Sequence, residues 1–416
     1  MPTRLLFFLT AVNVLNYFDR YIVHSVEPLL KAEFSISNQE SGLLVSAFVF
    51  GYFLFSPLFG YLGDRYDRRY LMAVGLLAWS AATAVTGYTS TLVTFFAARV
   101  FVGIGEASFG TIVPGYLKGR IPDTLKLNSA LSLFYCAIPV GAALGYVLGG
   151  TIAARYSWRD VFLFAAVPGV LLSIGFFFVR KEDPVEISST TPTGFVSGIK
   201  AVWGVPILRL AILGYIFNTF ALNGIAAFVV RYGTALGMAM EDVSQRFGLI
   251  LLVTGFFGTF GGGTLASFLA RDASNKVKCL LSFVSISTFI GLPFLCAAFL
   301  VGSPNLFLIC CFCAELMLFA GVAPLNLVLV TRAPKGLETL TQGVTIFFIN
   351  LFGAIFAPIA IGATGDLLFR WGYTATAGAP YLAYAMQLSS LAALLSALFW
   401  WIASRRDVEP AQNLQG

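Results

Sequence analysis

The sequence predicts an all-α membrane protein, with twelve transmembrane helices arranged as two pseudo-symmetric six-helix bundles. Three observations carry this expectation. Only 11% of the 416 residues are Asp, Glu, Lys or Arg, while 58% are hydrophobic; soluble domains carry about 25% charged residues. The apolar residues come in continuous runs of about 20 or more, the length that crosses hydrocarbon as a helix. A polar stretch near 181–205 then divides six such runs from six. So few charges cannot cover a water-soluble surface. The unbroken runs exclude a β-barrel, whose strands alternate apolar and polar over about ten residues.

The runs lie near 4–30, 39–62, 70–89, 91–117, 127–154 and 160–180 in the first half. In the second they lie near 206–231, 243–270, 279–301, 304–331, 337–365 and 379–403. The first continues past the length of a signal-peptide core without a cleavage site, so it is taken as a span. Lys and Arg set the orientation. With the N-terminus in the cytoplasm, 18 of the 26 fall in inside loops and 5 outside, and 3 (Arg20, Arg99, Arg246) lie within spans. That bias places both termini in the cytoplasm, and the minimal loops suit a bacterial inner membrane. The expected organisation is an N-terminal bundle over 1–180, a cytoplasmic linker over 181–205 and a C-terminal bundle over 206–416.

The halves repeat weakly. Gly60 to Arg68 aligns with Gly263 to Arg271, and the fourth and tenth spans each carry a mid-span glutamate (Glu106, Glu315) followed by a proline (Pro114, Pro324). Two halves on one plan, with a substrate site near the midplane, is a layout of secondary transporters. With one histidine, and six cysteines that show no metal-ligand spacing, neither a metal site nor a disulfide framework is expected. No cofactor is expected, and basic inside loops account for the net charge of +6 without nucleic acid.

The strongest local signal is Gly60-Tyr61-Leu62-Gly63-Asp64-Arg65-Tyr66-Asp67-Arg68-Arg69, between the second and third spans. Gly60 lets helices approach closely. Asp64 can meet a helix N-terminus and a nearby Arg. The run resembles the signature of the major facilitator superfamily, with Asp67 where that family usually has Gly. The resemblance implies a conformational gate of Gly60, Asp64, Arg65 and Arg68. A loop that only sets topology is the simpler alternative.

Charges inside the membrane cost about 2.5–3.5 kcal/mol each on insertion scales, and persist when paired or functional. The first span carries Asp19 and Arg20, and the fourth carries Arg99 and Glu106. Seven residues is nearly two turns, so Arg99 and Glu106 share a face about 10 Å apart. Burial favours a neutral carboxyl and a neighbouring Arg favours a charged one. A carboxyl poised between the two can take and release a proton, which makes Asp19 and Glu106 the proton-coupling candidates. Arg20, Arg99, Glu315 and Asn223 are the expected substrate contacts, the second half supplying mainly neutral polar groups. A static buried salt-bridge network is the competing account. His24 reads as structural, and Arg246 as a snorkelling residue.

Asn16-Tyr17-Phe18-Asp19-Arg20, the Gly60–Arg69 run, and Arg99-Val-Phe-Val-Gly103-Ile-Gly105-Glu106-Ala107-Ser108 together look like the Spinster branch of that superfamily. The resemblance is specific over about the first 125 residues. It implies transport of lysophospholipids or of sphingoid lipids such as sphingosine 1-phosphate, and a monomer is the expected state. It further implies proton coupling, with Asp19, Arg20, Arg99 and Glu106 as the ionic core. A proton-coupled organic-anion symporter of the anion:cation type shares part of the first-span motif and is the alternative. An intramembrane enzyme would need a nucleophile with a base or a metal cluster, and the lone His24 offers no such set.

Overall fold

The computed structural model describes residues 3–35, 38–179, 194–373 and 380–406. Among these, all regular structure is helical, in twelve successive spans. The first half comprises Thr3–Phe34, Asn38–Gly63, Arg68–Gly87, Leu92–Arg120, Thr124–Arg155 and Trp158–Phe178. The second comprises Pro206–Ala235, Met240–Leu269, Lys276–Ala298, Pro304–Arg332, Glu338–Arg370 and Pro380–Arg406. Among the described residues, ten spans are long and apolar enough to cross a membrane. The first span falls short in hydropathy because Asn13, Asn16, Asp19, Arg20 and His24 interrupt it. The second is apolar over Ala47–Gly63, and its helix, Asn38–Gly63, carries further apolar sequence from Gly42 to Ser46.

Span starts are fixed by local hydrogen bonds. Asp67 caps the third helix by accepting from Arg69 N, and Ser157 caps the sixth by accepting from Asp160 N. Thr91 and Thr94 cap the fourth reciprocally.

Three spans are interrupted where a proline removes an N–H from the helical ladder. Pro139 cannot bond the Tyr135 carbonyl, and the fifth span breaks at Cys136. Pro324 cannot bond Ala320, and the tenth breaks at Ala320–Gly321. Pro358 cannot bond Ala354, and the eleventh widens into a π-type turn over Ile349–Ile355. The eighth span carries a second π-type turn at Phe257–Gly261, in a glycine-rich stretch.

The chain packs into two compact units. The first holds residues 1–122, 133–202 and 333–347, and the second holds 123–132, 203–332 and 348–416. The fifth and eleventh spans thus contribute to both, and each changes unit within a few residues of its break. One core cluster of the first unit gathers Ile22, Val26, Phe95, Trp158 and Phe162. That of the second gathers Ile225, Tyr232, Phe299, Phe307 and Met386. Of the linker expected over 181–205, residues 181–193 lie outside the described residues. Phe195–Gly204 is an amphipathic helix that buries Gly198 and Val202 and sets Phe195 against the Tyr61 ring at 5.5 Å.

Candidate functional site

In the first unit, four charges gather between the first, second, third and fourth spans. Arg20 Nε donates to Glu106 Oε2 at 2.8 Å, and Glu106 is fully buried. The Arg20 guanidinium also faces three aromatic rings, with its carbon 4.5 Å from the centre of Tyr17, 4.5 Å from Phe48 and 4.2 Å from Tyr52. Ring faces attract a cation by about 0.5–2 kcal/mol each, so the cage holds the guanidinium in place.

Asp19 is buried as completely as Glu106 and accepts from Thr83 Oγ1 at 3.4 Å. Arg99 is 1% exposed and donates through Nη2 to the main-chain oxygen of Asp19 at 3.1 Å. Arg99 Nε and Nη1, and Glu106 Oε1, have no hydrogen-bond partner among the described residues. Unpaired buried donors are costly, and a guanidinium with two of them is a ready receptor for an anion.

The four charges expected from sequence are therefore brought together, with an unequal division of labour. Arg20 is tied to Glu106, whereas Arg99 reaches the Asp19 main chain because it stands two turns from Glu106 on the fourth span. His24 stacks on Tyr21 at 5.3 Å between centroids and lies 6.0 Å from Tyr146. Arg246 pairs with Asp242 at 2.7 Å. The remaining expected substrate contacts lie in the second unit. Asn223 donates its amide to the Thr219 carbonyl of its own helix at 2.9 Å. Glu315 is buried beside Thr254.

A second cluster forms at the Gly60–Arg69 loop. Asp64 caps the eleventh span: Thr339 N donates to Oδ1 at 3.0 Å and Leu340 N to Oδ2 at 2.8 Å. The Thr339 hydroxyl faces both Asp64 Oδ1 and the Gly60 carbonyl. A Cβ on Gly60 would stand 2.6 Å from the Thr339 carbonyl oxygen, so only glycine permits this approach. Arg68 donates to the Gly63 carbonyl at 2.8 Å, the Gly115 carbonyl at 3.3 Å and Asp64 at 3.4 Å. Arg65 lies 3.7 Å over the Tyr61 ring. Burial outweighs these partners and pushes the Asp64 carboxyl up to about 6. Asp67 binds the Arg69 side chain with both oxygens, and Arg69 reaches the Val179 carbonyl at 2.7 Å. That cap and tether are what this chain has in place of the family's glycine.

Sequence reasoning missed the aromatic cage and the far side of the Asp64 cluster. Phe48 and Tyr52, four residues apart on the second span, were a readable signal. Lys118, which pairs with Glu338 at 2.8 Å, and the Thr339 cap were not readable, because they lie more than 200 residues from their partners.

Buried charges on facing helices of a twelve-span membrane bundle define the class: a secondary transporter. The chain belongs to the major facilitator superfamily, whose family pattern matches residues 9–358. Among its relatives are proteins of the Spinster branch. It is 28% identical to a probable sphingolipid transporter, spinster homolog 2, of Arabidopsis thaliana, over 90% of this chain and 83% of that one. It is 28% identical to human spinster homolog 1, over 87% and 72%. A crystal structure of a bacterial homolog to the human lysosomal transporter Spinster shares its fold, with TM-score 0.65, 21% identity and 97% of each chain covered. So does the transporter FucP, with TM-score 0.77, 15% identity and 96% and 98% covered. The protein is thus an integral multi-pass membrane protein, a Spinster-like transporter and not an enzyme.

Proposed function

We propose that the protein moves an amphipathic anionic or zwitterionic lipid, of lysophospholipid or sphingosine 1-phosphate type, by alternating access and coupled to protons. The observation that carries this is Arg99: a buried guanidinium with two unpaired donors, set beside the buried carboxyls Asp19 and Glu106. An anionic head group docked on Arg99 would satisfy those donors. Its charge would compete with Glu106 for the neighbouring Arg20 and favour proton uptake by Glu106 or Asp19. Release of the proton would restore the Arg20–Glu106 pair. A proton entering across the membrane contributes about 2.3 kcal/mol per 100 mV.

The names of the Arabidopsis relatives support the lipid class. With both termini in the cytoplasm of a bacterial inner membrane, the Asp64–Thr339 cluster would be the cytoplasmic gate of a monomeric carrier. Arg99 suits a small carboxylate equally well, which keeps an organic-anion symporter as the second reading.

The test is transport in proteoliposomes under an imposed pH gradient, with labelled lysophosphatidylcholine or sphingosine 1-phosphate. Gradient-driven lipid movement that Glu106→Gln and Asp19→Asn abolish is the expected result. Lipid movement indifferent to pH and to both changes would reduce the network to scaffolding. Uptake of a small organic anion, with no lipid movement, would favour the second reading.

A further inference from the structure

The second unit buries a carboxyl that the network above does not use. Glu315 is 1% exposed in the tenth span, and no described residue forms an ion pair with it. Its partner is Thr254 of the eighth span, whose Oγ1 lies 3.2 Å from Glu315 Oε2. The same Oγ1 lies 2.8 Å from the Ile250 carbonyl of its own helix. A hydroxyl has one proton, and a carbonyl can only accept. The one Thr254 hydrogen can serve Ile250 or Glu315; when it takes the shorter bond to Ile250, a hydrogen on the carboxyl completes the contact with Glu315.

The helices around this pair are irregular at the same level. The π-type turn Phe257–Gly261 begins three residues after Thr254, and the tenth span breaks at Ala320–Gly321, five residues after Glu315. The two irregular segments are in close contact, for a Cβ on Gly262 would stand 2.5 Å from Ala320 Cα. Such π-type turns and proline breaks are places where helices bend. A bend here would change what Glu315 can reach.

We propose that Glu315 is a second proton-binding site, belonging to the second unit: a carboxylic acid donating to Thr254 that releases its proton when the paired helix irregularities rearrange. On release the proton leaves to water and the carboxyl becomes a carboxylate, to which the Thr254 hydroxyl turns from Ile250 to donate, one side-chain hydrogen bond replacing two. Among the described residues, Cys311, one turn earlier on the same span, is the titratable group that interacts with it. On the packed neighbours, Asp242 and Arg246 of the eighth span pair with each other, and Tyr232 of the seventh donates to the Phe299 carbonyl. The lysines of the ninth, Lys276 and Lys278, lie in its first turn. The inference deepens the proton-coupled reading and, for its coupling role, rests on it.

Two measurements on the full chain test it. Infrared spectra of the purified protein at neutral pH should contain a protonated-carboxyl band that Glu315→Gln removes and Thr254→Val shifts. Identical spectra of wild type and Glu315→Gln in that region would overturn the site. In proteoliposomes with about 100 mV imposed, one proton fewer per cycle should lower the steady-state ratio of labelled lysophosphatidylcholine between leaflets by about fifty-fold in Glu315→Gln. A band present with an unchanged ratio would overturn the coupling role. If wild type moves no lipid at all, the lipid reading fails, and the infrared band still decides whether Glu315 holds a proton.

Discussion

Glu106 and Glu315 occupy corresponding places in the two halves of the sequence, mid-way along the fourth and tenth spans, yet they are buried in opposite ways. Glu106 is neutralised by a cation, Arg20, that is itself held by three aromatic rings. Glu315 has a threonine. One half balances its charge with a charge, whereas the other meets its carboxyl with a hydroxyl. The difference teaches that burial alone does not define a carboxylate's role; the partner does. A paired carboxylate gives its site geometric definition and becomes costly to disturb. An unpaired one is easily replaced by any neutral group of the same shape.

The largest expected effect follows from that contrast. Breaking a buried ion pair by removing one partner costs roughly 3–5 kcal/mol. Glu106→Gln should therefore lower the thermal stability of the purified protein strongly, while Glu315→Gln, an amide in place of a neutral acid, should change it by less than about 1 kcal/mol. Equal losses would break the comparison. Exchanging both Arg20 and Glu106 for apolar residues of similar volume should recover much of the stability and none of the transport.

The Asp64 cluster comes next. The Asp64 carboxyl lies at about 6 when buried, against an ordinary 3.8. The arrangement with Asp64 buried therefore binds a proton more tightly than one with Asp64 exposed. It gains stability as pH falls from above 6 toward 3.8, by at most about 3 kcal/mol. Hydrogen exchange at the Thr339 and Leu340 amides, corrected for the intrinsic pH dependence, should show rising protection between pH 7 and 5. Asp64→Asn should abolish that dependence. Protection that rises with pH instead would reverse the assignment.

A smaller effect sharpens the role of the cage. Tyr52→Leu removes one ring face from Arg20 and should cost about 0.5–2 kcal/mol, seen as a lower melting temperature with the pH response of the Asp64 cluster intact. The smallest is Lys118→Met. Its pair with Glu338 is partly exposed, so stability should fall by about 1 kcal/mol or less. Any change in exchange should be confined to the first turn of the eleventh span.

Much of this was legible in the sequence, for physical reasons that differ by element. The spans could be read because hydrocarbon demands long apolar runs, and only the first, with its polar stripe, strays from that pattern. The ionic core could be read because charges in such runs are rare. The Asp64 turn could be read as far as its own ten residues. What could not be read is which side chain each charge meets. That Arg20 and not Arg99 takes Glu106 depends on the relative rotation of two helices, and residue spacing carries no information on that. The Thr254–Glu315 contact crosses 61 positions, and its meaning lies in the direction of one hydroxyl hydrogen. The helix at Phe195–Gly204 was hidden inside a stretch whose polar beginning masked its amphipathic end.

The capping of the eleventh span by Asp64 joins residues 275 positions apart. During synthesis, the Gly60–Arg69 turn leaves the ribosome long before Thr339 and Leu340 exist. The first compact unit also includes residues 333–347, so it stays unfinished until four-fifths of the chain has been made, however early its first six helices enter the bilayer. A nascent chain stopped after the sixth span would hold a buried-type carboxylate with no helix end to cap. Separately produced halves would complete that turn only by finding each other in the membrane.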